Sequence, residues 1–462
     1  MSYLASPMSQ RSRNARPSGR AKPVGASGST EETVVRIDTL AVGGAGVGSL
    51  DDGLRVFVPG TAPGDRIVAA IQRNTRPARG RLLRVLEPSP ERRDAPCPLV
   101  ERCGGCDFMH LSEGAQHRAH IEIVRNAVEH ALGSPAPPIF LRPALETLHY
   151  RTRARLFVQA ERGRARVGYR ASASHQIAEV ASCIVLAPSI AVALDDLPRV
   201  FAGSKGEGDV QIARGAAGRL CVDAVWHGEL PPSVWAAIDQ RIQDGVWAGA
   251  RVRLQGVKKP ATFGDPRPVL EGADGQPLVI AAGSFAQPSD EGANLLAQRV
   301  LALSRKDPDE APETVAPLGT VLELFSGSGT FSVLLARAAT AFFSVESNEE
   351  AAAAARQNLS TRGLSGKVTV ADADAFVLPS AVDVVVLDPP RSGAAGAAAT
   401  IAASRVSRVV YVACDPATLS RDLGTLVRGG FALTHLETVE LFPQTSHVET
   451  LARLVRSRAR RD

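Results

Sequence analysis

Two residues near the C-terminus have types and surroundings suited to covalent chemistry: a thiol at Cys414 and a carboxylate at Glu449. Cys414 stands in Tyr411-Val412-Ala413-Cys414-Asp415-Pro416, at the tip of an apolar run and ahead of a helical stretch from Ala417 to Val427. Most lone cysteines are small core residues. A thiol at a strand tip before a helix N-terminus instead sits where thiolate is favoured, so a lowered pKa is expected for Cys414. Glu449 follows Leu441-Phe442-Pro443-Gln444-Thr445-Ser446-His447-Val448 and opens the last strand. An exposed strand carboxylate is the bland reading; beside a thiolate it becomes a general base.

Two further patterns complete a reaction. The run Glu323-Leu324-Phe325-Ser326-Gly327-Ser328-Gly329-Thr330-Phe331 is an apolar strand ending in a glycine turn, and the next strand ends in Glu346. Such a turn admits a cofactor against the backbone, and the acid can accept from ribose hydroxyls. The third glycine of a pyrophosphate loop is missing. Adenosylmethionine carries no pyrophosphate, so the pattern favours it over a nicotinamide cofactor. Asp388-Pro389-Pro390-Arg391 lies where another apolar strand leaves its sheet, with two prolines stiffening the backbone that aims the Asp.

A nucleophilic Cys, a carboxylate base and a methyl donor are the minimum set for methylating carbon 5 of a uracil. That carbon is a poor nucleophile. Thiolate addition to carbon 6 makes an enolate, carbon 5 then attacks a sulfonium methyl, and a base removes the carbon 5 proton so that the thiolate is expelled. Asp388 would bond the ring edge. The target base must be looped or flipped out.

The elements that must position these groups follow from pattern. With 462 residues, about three domains are expected. Residues 33–88 read as short strands broken by Gly43-Gly44, Pro59-Gly60 and Pro63-Gly64-Asp65, a small barrel. Residues 112–132 read as a helix with Ser112 as N-cap, and 147–280 as mixed strands with basic, Pro-broken connections. Lys306, Asp307, Pro308, Asp309, Glu310 and Pro312 suggest an exposed connection. After 319, strands alternate with helices, which implies a parallel, doubly wound sheet.

Charge and composition narrow the partners. The net charge is only +5. Arg11, Arg13, Arg16, Arg20 and Lys22 nevertheless fall in a Ser/Gly/Pro-rich arm that reads as disordered. Arg66, Arg73, Arg76, Arg79, Arg81, Arg84, Arg92 and Arg93 form a second cluster, either solvated charge or a footprint for a phosphate backbone. No run of about 18 apolar residues occurs and the N-terminus lacks an apolar leader, so a cytoplasmic protein without membrane contact is expected. Cys97, Cys103, Cys106 and the distant Cys183 suggest a metal rather than disulfides, with zinc and an iron–sulfur cluster both suited to four thiolates. Cys221 reads as a core residue.

Taken together with Ser284-Phe285-Ala286-Gln287, these motifs resemble the RNA uracil-5-methyltransferase family, including its bacterial ribosomal RNA members, from about residue 33 to 455. The resemblance implies Cys414 as nucleophile and Glu449 as base. It implies an S-adenosylmethionine site formed by Gln287, Phe325, Gly327, Gly329, Thr330, Glu346, Asp372 and Asp388, and a 4Fe–4S cluster on Cys97, Cys103, Cys106 and Cys183. The implied architecture is an α/β, Rossmann-like class I methyltransferase domain with an N-terminal TRAM-like (OB-like) β-barrel and a central α+β iron–sulfur domain. Its boundaries are a basic tail at 1–30, the barrel at 31–90, the cluster domain at 91–108 with 142–280, and the transferase at 109–141 with 281–462. Ribosomal RNA is the expected partner of a monomer, and transfer RNA the alternative. Ser326, Asp415, Gln444 and Ser446 depart from the family's common Cys, Asn, His and Gly, which bears on fine specificity. Cytosine-5 methylation would use the same addition chemistry, but it usually places a Cys beside the Asp-Pro pair, where Arg391 follows here. A non-catalytic RNA-binding protein and a redox enzyme are the readings from other classes.

Overall fold

Alternation of apolar and polar residues closes the first segment into a barrel. The computed structural model describes residues 31–171, 174, 176–308 and 316–457; the arm at 1–30, and Asp309, Glu310 and Pro312, lie outside them. Strands β1 (Glu31–Leu40), β2 (Gly46–Ser49), β3 (Arg55–Val58), β4 (Arg66–Gln72) and β5 (Ala78–Glu87) close in the order β1-β2-β3-β5-β4. Val35, Ile37, Val56, Val58, Ile67, Ala69 and Ile71 fill the interior, one face of each strand at period two. At Gly48 a side chain would run into the Arg36 carbonyl, so the crossing of β1 and β2 requires glycine.

Helix α1 (Glu113–Leu132) begins at Ser112, whose side chain accepts from the Ala115 amide, and strand β6 (Ile139–Arg142) follows. A seven-stranded sheet forms next from β7 (Arg153–Glu161), β8 (Arg164–Arg170), β9 (Ile177–Glu179), β10 (Lys205–Arg214), β11 (Leu220–Glu229), β12 (Trp247–Leu254) and β13 (Ala261–Gly264), in the order β13-β12-β11-β10-β7-β8-β9. Helices α2 (Pro188–Ala191), α3 (Ala193–Val200) and α4 (Pro232–Gln243) belong to this unit, whose core includes Phe201, Trp226 and Trp247. A short hairpin, β14 (Val269–Glu271) and β15 (Pro277–Val279), and helix α5 (Asp290–Leu303) lead onward.

The last sheet contains β16 (Thr320–Leu324), β17 (Ala341–Glu346), β18 (Lys367–Val370), β19 (Val384–Leu387), β20 (Arg408–Ala413), β21 (Phe431–Val439) and β22 (Glu449–Arg456), interleaved with α6 (Ser332–Ala338), α7 (Glu349–Ser360), α8 (Ala395–Ala403) and α9 (Pro416–Arg428). Its order is β18-β17-β16-β19-β20-β22-β21-β6. Val384–Leu387 is buried throughout because apolar clusters cover both faces.

Two features differ from a simple alternating pattern. The sheet is not wholly parallel, since β22 runs against both β20 and β21. No helix joins β21 to β22, so the chain can only return antiparallel. The strand β6 joins the far edge beside β21, and α1 buries Ile123, Val124 and Val128 in the same apolar cluster as Leu419, Leu423 and Leu426 of α9. Each such aliphatic side chain contributes roughly 1.5–3 kcal/mol on full burial, enough to hold α1 on this sheet.

Candidate active site

Strand order reverses direction between β16 and β19, and the crevice beyond their carboxyl ends is where an open α/β sheet binds ligands. A cavity of about 1070 Å³ opens there, lined by Gln287, Phe325, Gly327, Thr330, Glu346, Asp372, Asp388, Cys414 and Glu449. The structure thus brings together the sequence-predicted thiol, base and cofactor residues, except Gly329, which packs behind them. A Cβ at Gly329 would press on Ala355 of α7 at 3.3 Å, whereas one at Gly327 would meet open space. Both glycines have positive φ, 55° at Gly327 and 91° at Gly329, and Phe325 shares that conformation at 61°. An aromatic residue there is uncommon, a local strain of the kind that collects at binding sites.

Glu346 ties two loops together. Its Oε2 accepts from the Gly327 amide at 2.9 Å and its Oε1 from the Asn348 amide at 2.7 Å. Three buried oxygens at this cavity have no hydrogen-bond partner: Gln287 Oε1, Ser326 Oγ and Glu449 Oε2. Buried polar atoms are normally bonded, so these mark positions where a polar ligand would complete the site.

Cys414 lies at the end of β20, but its expected low pKa is not found. Burial, with the nearby charges of Glu449 and Asp388, pushes the thiol up to about 12, against a smaller opposing pull from Arg391. The helix N-terminus does not help because Asp415 caps it. The Asp415 Oδ1 accepts from the amides of Ala417 at 3.0 Å and Thr418 at 2.9 Å, taking up the donors that would otherwise face the sulfur. Burial raises Glu449 well above the ordinary carboxylate range and Asp388 to about 7.

Glu323, which the sequence offers only as part of a motif, is a further acid at this cavity. It is buried, accepts from Ser332 Oγ at 2.5 Å, and is pushed by burial from 4.5 to about 8. The folded protein therefore keeps a proton that the unfolded chain releases, a contribution full below the ordinary value and lost as pH rises through about 8. That shift corresponds to at most roughly 5 kcal/mol. Glu323→Gln should raise the melting temperature relative to the parent increasingly from pH 5 to 9. A difference independent of pH in paired thermal melts would refute the buried acid.

The loop carrying Glu449 is held from a distant part of the chain. Asp107 accepts from the Ser446 amide at 2.7 Å and from its hydroxyl at 2.6 Å. Gln116 exchanges bonds with Gln444 at 3.0 and 3.1 Å, and His120 bridges Glu440 Oε1 at 2.7 Å and the Thr445 carbonyl at 2.9 Å. Gln116 and His120 are one helical turn apart on the buried face of α1, the one signal that could have marked them. Asp107→Asn should lower kcat by roughly ten- to a hundredfold through misplacement of this loop, with cofactor affinity unchanged. An unaltered kcat in steady-state assays would show that the loop keeps its place without the carboxylate.

The cysteines converge elsewhere. Cys97, Cys103, Cys106 and Cys183 line a second cavity with Arg151 and Tyr169, and all are free thiols. Among the described residues, no three His, Cys, Asp or Glu side chains gather around a single metal ion. Cys221 is buried, its thiol near the carbonyls of Asp265 and Arg267. No helix among the described residues is long and apolar enough to cross a membrane.

A family model described as tRNA (Uracil-5-)-methyltransferase matches residues 377–457, and one described as conserved hypothetical protein 95 matches 312–412. The chain is 32% identical to an uncharacterized RNA methyltransferase of Gloeobacter violaceus, over 95% of this chain and 100% of that one. It is likewise 32% identical to the 23S rRNA (uracil(1939)-C(5))-methyltransferase of Pseudomonas putida, over 90% of this chain and 92% of that protein. The Pyrococcus abyssi tRNA (uracil-54, C5)-methyltransferase, solved with S-adenosyl-L-homocysteine, shares the fold with a TM-score of 0.69 at 22% identity, covering 92% of this chain and 100% of that one. With identity of this degree along nearly its whole length, the chain belongs to the family of RNA uracil-C5 methyltransferases.

Proposed function

We propose that this protein methylates carbon 5 of a uridine in 23S ribosomal RNA, with S-adenosylmethionine as donor and a transient bond between Cys414 and carbon 6. The observation that carries this reading is the meeting of Cys414, Asp388 and the unpartnered Glu449 Oε2 in one cavity at the reversal of the sheet. The cofactor supplies an electrophilic methyl group. Gln287 and the 325–330 loop would hold it, a fit supported by the orphaned Gln287 and Ser326 oxygens and the open space beside Gly327. Asp388 would orient the ring edge, Cys414 would add to carbon 6, and Glu449 would take the carbon 5 proton, which frees the thiolate.

Ribosomal RNA is preferred because relatives 30% and 32% identical to this chain over most of its length are named as 23S rRNA (uracil(1939)-C(5))-methyltransferases. Transfer RNA is the second reading, favoured by the description of the family model. Nucleoside mass spectrometry of separated 23S and transfer RNA, from cells with and without the gene, tests both. Loss of 5-methyluridine from 23S RNA alone is expected; loss from transfer RNA alone would replace the first reading by the second.

The same reading divides the chain into the barrel at 31–90, the cluster domain at 91–108 with 142–280, and the transferase at 109–141 with 281–462. It places a 4Fe–4S cluster on Cys97, Cys103, Cys106 and Cys183. Four thiols from two separated segments line one cavity. The described residues bring no three of them close enough for one ion, a closeness that a larger cluster does not require. Burial and the neighbouring cysteines push Cys106 up to about 12 and burial raises Cys103 as well, so these two sulfurs become thiolates readily only with a cationic partner. Protein purified without oxygen should contain iron and acid-labile sulfide in equal amounts, and Cys183→Ala should lose both. Zinc in place of iron would overturn the assignment.

A further inference from the structure

A third cavity, of about 320 Å³, adjoins the active site and shares with it the wall formed by Gly283, Ser284, Phe285 and Ala286. This is the lower end of the roughly 300–1,000 Å³ typical of small-ligand pockets, suited to one nucleotide rather than a duplex. Its floor is one face of the central sheet. Arg153 and Arg155 of β7 point the same way at period two, and Arg151, just before the strand, lines the same space.

The cavity has a surplus of positive charge. Its acid Asp223 is bonded by Arg251 and Arg253. Asp290, near Arg153, is held by Arg214, Thr152 and the Glu271 amide. Asp265 is engaged by Arg267. Arg151 donates to the Tyr150 hydroxyl and lies over the ring of Phe442. Arg153 keeps its Nε and Nη2 buried without any hydrogen-bond partner. Burial of an unpaired guanidinium is costly, and phosphate oxygens are the acceptors whose geometry matches its fork.

We propose that this cavity receives a nucleotide within two positions of the target uridine on the same strand, with its phosphodiester held by Arg153. The proposal rests on RNA being the substrate. The two cavities meet at the 283–286 wall, so a strand that spans this wall while its target base enters the larger cavity brings a neighbouring phosphate to the arginine row. Arg153 would then be a positioning residue that fixes the register of the strand, and the sequence context of the target would be read partly here.

The test is a double-substitution cycle on a synthetic 23S rRNA stem-loop containing the uridine equivalent to 1939, with one methylphosphonate linkage moved through positions −3 to +3. Binding by the full-length wild-type protein is the control; if it neither binds nor methylates the unmodified RNA, the choice of substrate has failed and not the pocket. One neutral linkage near the target should weaken wild-type binding on the order of tenfold. Arg153→Gln should weaken binding of the unmodified RNA similarly, keep its affinity for S-adenosylhomocysteine, and no longer respond to that one linkage. If Arg153→Gln binds RNA as well as the parent, or its loss adds to that of every linkage, the proposal is overturned. Should Arg153→Gln lose its cooperative melt, the exposed Arg155→Ala carries the same cycle, and the same two outcomes support or overturn the proposal.

Discussion

Cys414→Ala should abolish uridine methylation, lowering kcat/KM by at least about 10⁴-fold, while leaving the melting temperature and S-adenosylhomocysteine affinity close to the parent. The side chain removed is small and only partly buried, so little packing is lost. The chemistry lost is the whole activation of carbon 5. Cys414→Ser should fail nearly as badly, because a hydroxyl does not offer the polarizable nucleophile that addition to carbon 6 needs. The resting thiol sits near pKa 12 through burial and the charges of Glu449 and Asp388, which has a consequence for the parent enzyme. A free thiolate beside an electrophilic methyl donor would consume the donor, and a protonated thiol does not. Attack must then be coupled to loss of the thiol proton after the uracil enters. Activity should rise with pH across the neutral range and go on rising toward pH 9, as the thiol proton becomes easier to remove. Single-turnover rates across pH 6–9 check this. A rate flat across that range would show a thiolate already formed and would contradict the environment described for Cys414.

Whatever depends on neighbours in the chain is legible in the sequence. The barrel follows from alternating residues between glycine turns. The methyltransferase sheet follows from buried runs such as Val384–Leu387, and the cavity from the glycine loop and the Asp388 and Cys414 strand ends, all carboxyl ends of adjacent strands. The pKa of Cys414 departs from expectation first because the fold buries the thiol beside Glu449 and Asp388, and then for a local reason. A helix start lowers a thiol only when its amides are free, and Asp415 already occupies them. Contacts across hundreds of residues are not legible. Nothing in the sequence ties Asp107 to Ser446 or Gln116 to Gln444, since neither pair has a periodicity in common. The same is true of Arg153, whose role depends on which acids its neighbours have already engaged. The direction of β22 escapes the pattern because alternation of strands and helices stops after β21, where the helix-free connection 440–448 returns the chain antiparallel.

Glu449→Gln should separate the two halves of the reaction. Glu449 is 2% exposed, and its Oε2 faces the cavity with no partner. Burial holds its carboxyl well above the usual range, so once ionised it is a stronger base than a carboxylate in water. Glutamine keeps the size and a carbonyl oxygen but cannot take a proton. Addition of Cys414 and methyl transfer do not require that proton to leave carbon 5; only expulsion of the thiolate does. The variant should therefore run one turnover to a methylated RNA still bonded to Cys414, and multiple-turnover kcat should fall by about 10³-fold or more. The expected readout is a protein–RNA band stable in denaturing gels, one methyl heavier than the unreacted pair by mass spectrometry, and absent in Cys414→Ala,Glu449→Gln. Free 5-methyluridine released at the parental rate would remove Glu449 from the proton transfer. A covalent band lacking the methyl group would mean that Glu449 is needed for methyl transfer itself, after the thiol has added, whereas no band at all would place it at the step where the thiol loses its proton. The two carboxylates can be told apart in the same assay. Asp388→Asn should lower the rate of adduct formation itself, because its place beside Cys414 in the cavity is at the ring edge of the entering uracil.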